Sequence, residues 1–413
     1  MNPFELNSAI VFAILFLSLF LIGTAKYRGA MFTAVAILTF VSGVLPIPVL
    51  ELFSVFVSFG SLLCAWAIGK RLPGADPKRA KRLMILGAIC VFSPLLLYKV
   101  LVLIIPEAFV SAVRRNIPEF TAGALIPIGM SYFSFRAMAY LFEIYRGKLE
   151  PTTMFRFLHY ALFWPTLMAG PIERPGRFLE QSESMQPPEK DEIAYGLYRT
   201  ASGFLKKVVL SAIFFHLAQG YIELTPKDFS GGLQRFQTPY LWFCITAYYF
   251  YLYFDFAGYS DLAIGVSRML GFRIMENFRY PILATNISDF WRRWHISLTS
   301  WVTDYIYISL GGNRHGAKKA ARYTLVAMIV IGLWHGLEIH FLLWGAWHGF
   351  FLNLYRRWRT EWKHRPWAQR LDSLPGRVLA WFVTFQIVNL GWVLFIHDTR
   401  DALRIWARLF GLW

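Results

Sequence analysis

An all-helical, polytopic membrane protein with about ten or eleven membrane segments is the fold class that this sequence predicts, on three observations. Of its 413 residues 56% are hydrophobic and 18% aromatic while only 16% are charged, where a soluble domain runs near a quarter charged. Apolar runs such as Ala9 to Thr24, Met84 to Ile105 and Val378 to Ile396 approach or meet the ~20 residues that a helix needs to cross hydrocarbon. The basic residues gather between such runs rather than along them, which is the pattern of loops that stay on the cytoplasmic side. This balance excludes a disordered chain and argues against a water-soluble enzyme.

In chain order the membrane segments are read at roughly 9 to 24, 31 to 46, 50 to 69, 83 to 105, 122 to 143, 154 to 170, 195 to 220, 239 to 264, 283 to 310, 322 to 350 and 376 to 396. The first is read as a retained helix rather than a signal peptide, because no basic stretch precedes it and no small-residue cleavage site follows. Loops are marked by Gly74 to Lys81, by the polar stretch Glu180 to Asp191 and by the charged stretch Arg356 to Pro375. With no internal repeat, low-complexity tract or long linker, residues 1–413 read as one transmembrane domain.

Net charge is +17, from 42 Lys and Arg against 25 Asp and Glu. In a soluble chain that balance points to nucleic acid; in a membrane chain it is topology. The densest cluster, Lys70, Arg71, Lys78, Arg79, Lys81 and Arg82, lies between two spans and is placed in the cytoplasm. Further basic surfaces come from Lys318, Lys319 and Arg322 and from Arg356 to Arg365, with docking of an acidic partner as the competing use. Cys64, Cys90 and Cys244 sit in apolar stretches without metal-ligand spacing, which argues against disulfides and structural zinc.

The stretch from Asn277 to Arg314 carries Arg279, Asp289, Arg292, Arg293, His295, Asp304 and Arg314 among aromatic and aliphatic residues. Charges at bilayer depth cost several kcal/mol unless they face protein or water. This region is therefore expected to form re-entrant or interfacial helices around an internal cavity.

Among the nine histidines, His159, His216, His315, His364 and His397 read as helix-end or interfacial side chains. His335 differs, because it follows the apolar run from Ile329 to Trp334 with Gly332 and Gly336 on either side. An imidazole at that depth suits base chemistry near neutral pH, with a hydrogen bond between helices as the structural alternative. His295, in Trp291 to Leu298, has Arg292 and Arg293 beside it to hold a phosphate or carboxylate, or to serve as an aromatic and basic membrane belt. His340 and His348 are weaker candidates, since on a continuous helix His348 points well away from His335. Asp255 and Asp261 are six apart, off one helix face, and read as holding the arginines of the cavity wall rather than as an acid and base pair.

The order of segments resembles the membrane-bound O-acyltransferase family, in its bacterial branch of alginate O-acetyltransferases and the D-alanyl transfer protein of teichoic-acid modification. The stretches that carry it are Pro127 to Gly147, Trp164 to Phe178, Tyr253 to Gly265, Asn277 to Arg314 and Gly332 to Gly349. The resemblance implies a ring of helices with re-entrant segments around a central funnel or tunnel. Its hallmark histidine falls on His335 and the second histidine of this branch on His295.

It further implies a short acyl group, acetyl favoured, moving from a cytoplasmic thioester to a hydroxyl on an extracytoplasmic polysaccharide or partner protein. Leu310 to Arg314 and Tyr145 to Gly147 resemble the acetyl type, whereas Ile396 stands where many alginate-type relatives have Arg. On this reading His335 is the general base, and Asn313, Trp334 and His295 orient the acceptor or stabilise an oxyanion. Arg292, Arg293 and Arg314 are candidates for the donor's phosphates, no metal is involved, and no cofactor is resident. Acetyl-CoA or a phosphopantetheinyl carrier protein is the co-substrate, in a bacterial cytoplasmic (inner) membrane, with membrane lipid, an extracytoplasmic acyltransferase partner and no nucleic acid. The alternatives are D-alanyl transfer toward teichoic-acid-like polymers and, in another class, a transporter or flippase.

Overall fold

The computed structural model describes residues 48–105, 129–184, 187–222, 224 and 238–412. The predicted segments 9 to 24 and 31 to 46 lie outside them, as does the first part of 122 to 143. Among the described residues the chain is helical without strands. Three helices are long and apolar enough to cross a membrane: Pro77–Ile104, Lys190–Ile222 and Leu374–Ile396. The chain forms two compact units, one of Met1–Tyr198 with Ala263–Met275 and one of Arg199–Leu262 with Glu276–Trp413.

In the first unit α1 (Pro48–Gly69) and α2 (Pro77–Ile104) are joined by a short turn. Asp76 starts α2 by accepting from the Lys78 and Arg79 amides at 3.0 and 3.1 Å, and Pro77 fills the first helical position. The predicted loop Gly74 to Lys81 is therefore shorter, because Pro77 preorganises the helix rather than ending it. α3 (Met130–Tyr145) is buried on nearly every face. It approaches α1 and α2 where a Cβ on Gly69 would stand 2.8 Å from Tyr140 and one on Gly87 would stand 2.6 Å from Leu141.

The predicted span 154 to 170 is two pieces, α4 (Met154–Ala161) and a single 3₁₀ turn, Trp164–Thr166. Arg136 of α3 explains how that broken backbone is held: 1% exposed, it donates to the carbonyls of Tyr160, Ala161, Phe163 and Thr166 and to the Thr166 hydroxyl. Carbonyls left over at helix ends need such a donor. α5 (Pro175–Glu183) packs Phe178 flat on Phe272, with His159 edge-on to both.

α6 (Lys190–Ile222) contains one π-helical stretch, Leu205–Leu210, and α7 runs Thr238–Met269. In the second unit they meet backbone to backbone, since a Cβ on Gly203 would lie 2.8 Å from the Gly258 carbonyl. Contrary to the expectation from sequence, Asp255 and Asp261 do not hold the arginines of the 277–314 stretch, because α6 lies against α7 and supplies the cations: Lys207 at Asp255, and Lys206 with Arg199 at Asp261, all at 2.5 Å.

The predicted span 283 to 310 is short helices, α8 (Ile287–Arg293) and α9 (Ile296–Val302), the latter continued by a π turn over Thr303–Tyr307. The predicted span 322 to 350 is two helices, α10 (Ala317–His335) and α11 (Ile339–Arg357), folded back on each other. Their contact is glycine-lined: a Cβ on Gly332 would stand 2.2 Å from the Phe341 carbonyl, and one on Gly345 2.4 Å from that of Met328. Gly345 and Gly349 repeat the small residue every fourth position that close helix pairs use.

The charged stretch after Arg356 is not a loop but a π turn, Trp358–Trp362, followed by α12 (Pro366–Gln369). α13 (Leu374–Ile396) and α14 (Thr399–Leu409) complete the unit. Indole and imidazole donors tie α11 to α13, Trp347 to the Ile387 carbonyl at 2.9 Å and His340 Nδ1 to that of Leu394 at 3.0 Å.

Candidate active site

His335 is the last residue of α10, and Gly336 closes the helix by donating to the Gly332 carbonyl at 3.2 Å. Because the helix stops there, the imidazole sits at a corner rather than in mid-span. Aromatic rings surround it, with centroids at 4.5 Å for Trp334, 4.8 Å for Phe395, 5.4 Å for Trp344 and 6.2 Å for Phe341. The glycines beside it give room to protein: Gly332 to the Phe341 backbone and Gly336 to the Phe341 ring.

His295 is the joint between α8 and α9, with φ of 44° and ψ of 52°. A residue with a side chain holds such a left-handed conformation at a cost of order 1–3 kcal/mol, which is tolerated where surrounding structure over-determines it. Asn277 does that here, since its carbonyl accepts from the Ile296 amide at 2.9 Å and its side chain meets the ring itself.

The Asn277 amide fixes the imidazole's tautomer. Its Nδ2 donates to Ser260 Oγ at 3.1 Å, which assigns Oδ1 as the acceptor. Oδ1 receives the Ser297 hydroxyl at 2.9 Å, the Ser297 amide at 3.3 Å and His295 Nδ1 at 3.0 Å. The proton of neutral His295 therefore sits on Nδ1, and Nε2 carries the lone pair. That Nε2 is buried without a hydrogen-bond partner among the described residues. Phe256 packs edge-on to the ring at 4.7 Å, and Trp334 lies at 6.1 Å.

Trp334 thus packs on both histidines. The sequence reading did not single out Asn277. Its signal was an amide at the head of a charge-bearing stretch, but the contact that matters spans eighteen residues.

The remaining candidates fall elsewhere. Arg293 is held by Asp289 at 2.8 Å and by the Arg279 carbonyl, and Arg314 turns back on the carbonyls of Gly311 and Ile308. Arg292 is exposed, with Asp289 only at 3.8 Å. It lines a cavity of about 320 Å³ that Asn313 also lines, and neither histidine does. Asn313 accepts there from the Tyr307 hydroxyl at 2.8 Å. His348 is fully buried between Trp291 and Trp344, and Trp344 also packs on His335. The break after His335 brings about that relation, which a continuous helix would forbid.

The chain belongs to the membrane-bound O-acyltransferase family, whose description matches residues 96–395. It is 37% identical over 297 residues to a probable alginate O-acetylase of Pseudomonas putida, covering 71% of this chain and 56% of that protein. A peptidoglycan O-acetyltransferase of Helicobacter pylori is 31% identical over 383 residues, covering 86% of this chain and 69% of the relative. A teichoic acid D-alanyltransferase of Bacillus subtilis is 30% identical over 284 residues, covering 65% and 68%. The chain spans little more than half the length of the alginate O-acetylases it matches.

Proposed function

We propose that this protein is a multi-pass O-acyltransferase of a bacterial cytoplasmic membrane that moves a short acyl group, acetyl in the first instance, from a cytoplasmic thioester to a hydroxyl on an extracytoplasmic polymer or partner protein. Family membership supports the class, and two of the relatives carry acetylation in their names. The observation that carries the chemistry is the histidine pair: one imidazole at a helix corner, and a second whose basic nitrogen is fixed in place by Asn277.

In this mechanism His335 takes the proton of the acceptor hydroxyl as the oxygen attacks the thioester carbonyl. The tetrahedral intermediate collapses with loss of the thiolate, which receives that proton from the imidazolium. In this reading the Trp334 indole N–H is assigned as the donor to the developing oxyanion, because its ring packs on both imidazoles. Neutral His295 cannot serve as that donor, because its only N–H is given to Asn277. Its Nε2 lone pair instead accepts a hydrogen bond from the substrate or supports positive charge on His335. Asn313 belongs to the cavity, where it meets the donor rather than the reacting atoms.

The test is thiol release from an acyl thioester by purified protein in lipid nanodiscs with a hydroxyl acceptor present. Turnover is expected, and His335→Ala should lower it by about 10² to 10⁴-fold without loss of folding. A transporter or a recruiting scaffold leaves the thioester intact, so absence of thiol release with every donor overturns the reading. Acetyl-CoA against a D-alanyl carrier protein in the same assay decides the donor.

A further inference from the structure

We infer that the acceptor taken at His335 is an uncharged sugar, and that the Glu338 carboxylate at the α10–α11 corner selects it against acidic polymers. The chain carries no Lys or Arg from Tyr323 to Tyr355, nor from Val378 to Thr399. Glu338 is the one Asp or Glu within the first of these stretches, and it sits at the corner itself, as the N-cap of α11. The hairpin is therefore charged in opposite senses at its two ends: Lys318, Lys319, Arg322 and Arg356 where its arms begin and finish, a carboxylate where they meet. The basic end belongs to the cytoplasm by the positive-inside rule, which leaves the corner to the acceptor.

The Glu338 side chain is exposed and caps no amide of α11. It folds back over Gly336, where a Cβ would stand 2.3 Å from Oε2 and equally close to the Phe341 ring. The carboxylate thus lies beside the residue next to His335, and Phe341 stacks on that imidazole at 6.2 Å. His340 Nδ1 donates to the Leu394 carbonyl at 3.0 Å, so Nε2 of the neutral ring keeps the lone pair. One turn past Leu394, His397 is 6% exposed and its Nε2 has no hydrogen-bond partner among the described residues. Phe341 and Phe395 meet edge to face at 5.3 Å, and both pack on His335. A pyranose suits this combination, since its hydroxyls donate to carboxylate and imidazole while its C–H face lies on aromatic rings. A uronate or phosphate-linked polymer does not, because it brings negative charge to a corner with a carboxylate and no cation in either stretch to offset it. The role as acceptor rests on the acyl-transfer reading; the choice of neutral over acidic sugars rests on these charges.

The experiment reads binding and turnover separately, on purified protein in neutral phosphatidylcholine nanodiscs. Saturation-transfer NMR measures binding of a tetrasaccharide of N-acetylglucosamine and of an oligouronate of the same length, with no donor present. Initial rates of thiol release from acetyl-CoA then give kcat and KM for each acceptor. Parent, Glu338→Gln and Glu338→Lys are compared, and the exposed, non-capping side chain lets both variants fold.

The parent is expected to bind the neutral sugar at least about tenfold more tightly than the uronate, with the same preference in kcat/KM. Glu338→Gln should cut that preference to about threefold or less and Glu338→Lys should reverse it, with KM for acetyl-CoA within about twofold of the parent. Added salt should shrink the parent's preference and leave that of Glu338→Gln unchanged. A preference equal in all three proteins, a parent that favours the uronate, or a parent that binds neither sugar overturns the inference. Thiol release driven by a protein hydroxyl alone overturns it too and leaves the acyl-transfer reading intact. Glu338-dependent sugar binding in a protein that never releases thiol would sink acyl transfer and leave the sugar selection standing.

Discussion

Arg136 in the first unit and Arg356 in the second both direct a guanidinium at neutral oxygens of the protein, and they are used in opposite ways. Arg136 delivers both terminal nitrogens to the carbonyls of the broken segment after α4. Arg356 gives one nitrogen to Thr324 and Tyr307 and keeps the other free at a cavity wall. The two buried histidines differ in what holds them: His159 is packed among Phe163, Phe178 and Phe272 with Ser182 at 3.3 Å, whereas His295 has Nδ1 fixed by the Asn277 amide at 3.0 Å and Phe256 edge-on to its ring. A guanidinium that spends both terminal nitrogens on backbone carbonyls holds a fold together, whereas one that keeps a terminal nitrogen at a cavity wall is prepared for a ligand.

The largest effect expected from breaking this contrast is in Arg136. Arg136→Met fills the space but leaves several buried acceptors without donors, at about 1–3 kcal/mol for each that cannot find water. The folded yield in detergent should collapse and the unfolding midpoint should fall steeply, with Arg356→Gln close to the parent in the same assay. An Arg136→Met protein that melts with the parent would show that the carbonyls rehydrate, and the contrast between the two arginines would fail.

A smaller effect is expected at Asn277, which touches the ring rather than the reacting atoms. Asn277→Ala removes the acceptor for His295 Nδ1 and lets the ring change tautomer and orientation. Loss of one orienting hydrogen bond of ~1.5–3 kcal/mol corresponds to a drop in kcat of about tenfold to a hundredfold. The KM for the thioester should stay near the parent's, because Asn277 is absent from the cavity lining. Loss of thioester affinity with kcat preserved would assign Asn277 to donor binding instead.

The helical class was legible in the sequence because hydropathy is a local signal, and His335 was singled out because a lone imidazole in an apolar run is one too, whereas His295, beside Arg292 and Arg293, came forward only through the family resemblance. The break after His335 was not, since Gly336, Leu337 and Glu338 interrupt an apolar stretch without changing its average character. Only the tight fit of Gly332 against Phe341, a tertiary fact, makes the turn there. Read as one span, 322 to 350 sends His348 away from His335; read as a hairpin, it puts Trp344 between them. Arg356 was read only as part of a basic surface, because its partner Thr324 lies on the other arm of the hairpin.

That hairpin also joins two basic clusters that look separate in sequence, and the smallest predicted effect follows from it. Lys318, Lys319 and Arg322 are exposed at the start of α10, and Arg356 and Arg359 lie at and just beyond the end of α11, the same end of the antiparallel pair. A carrier protein with an acidic face would rest on the first set while its arm passes the second; coenzyme A would need only the second. Reversing Lys318, Lys319 and Arg322 to Glu should therefore slow turnover with a carrier-bound donor several-fold and flatten its salt dependence, since exposed charges act over about 10 Å at 0.1 M salt. With acetyl-CoA the same variant should stay within about twofold of the parent. Equal losses with both donors would place the basic trio at the cavity itself, and no loss with either would leave it as a topology signal alone.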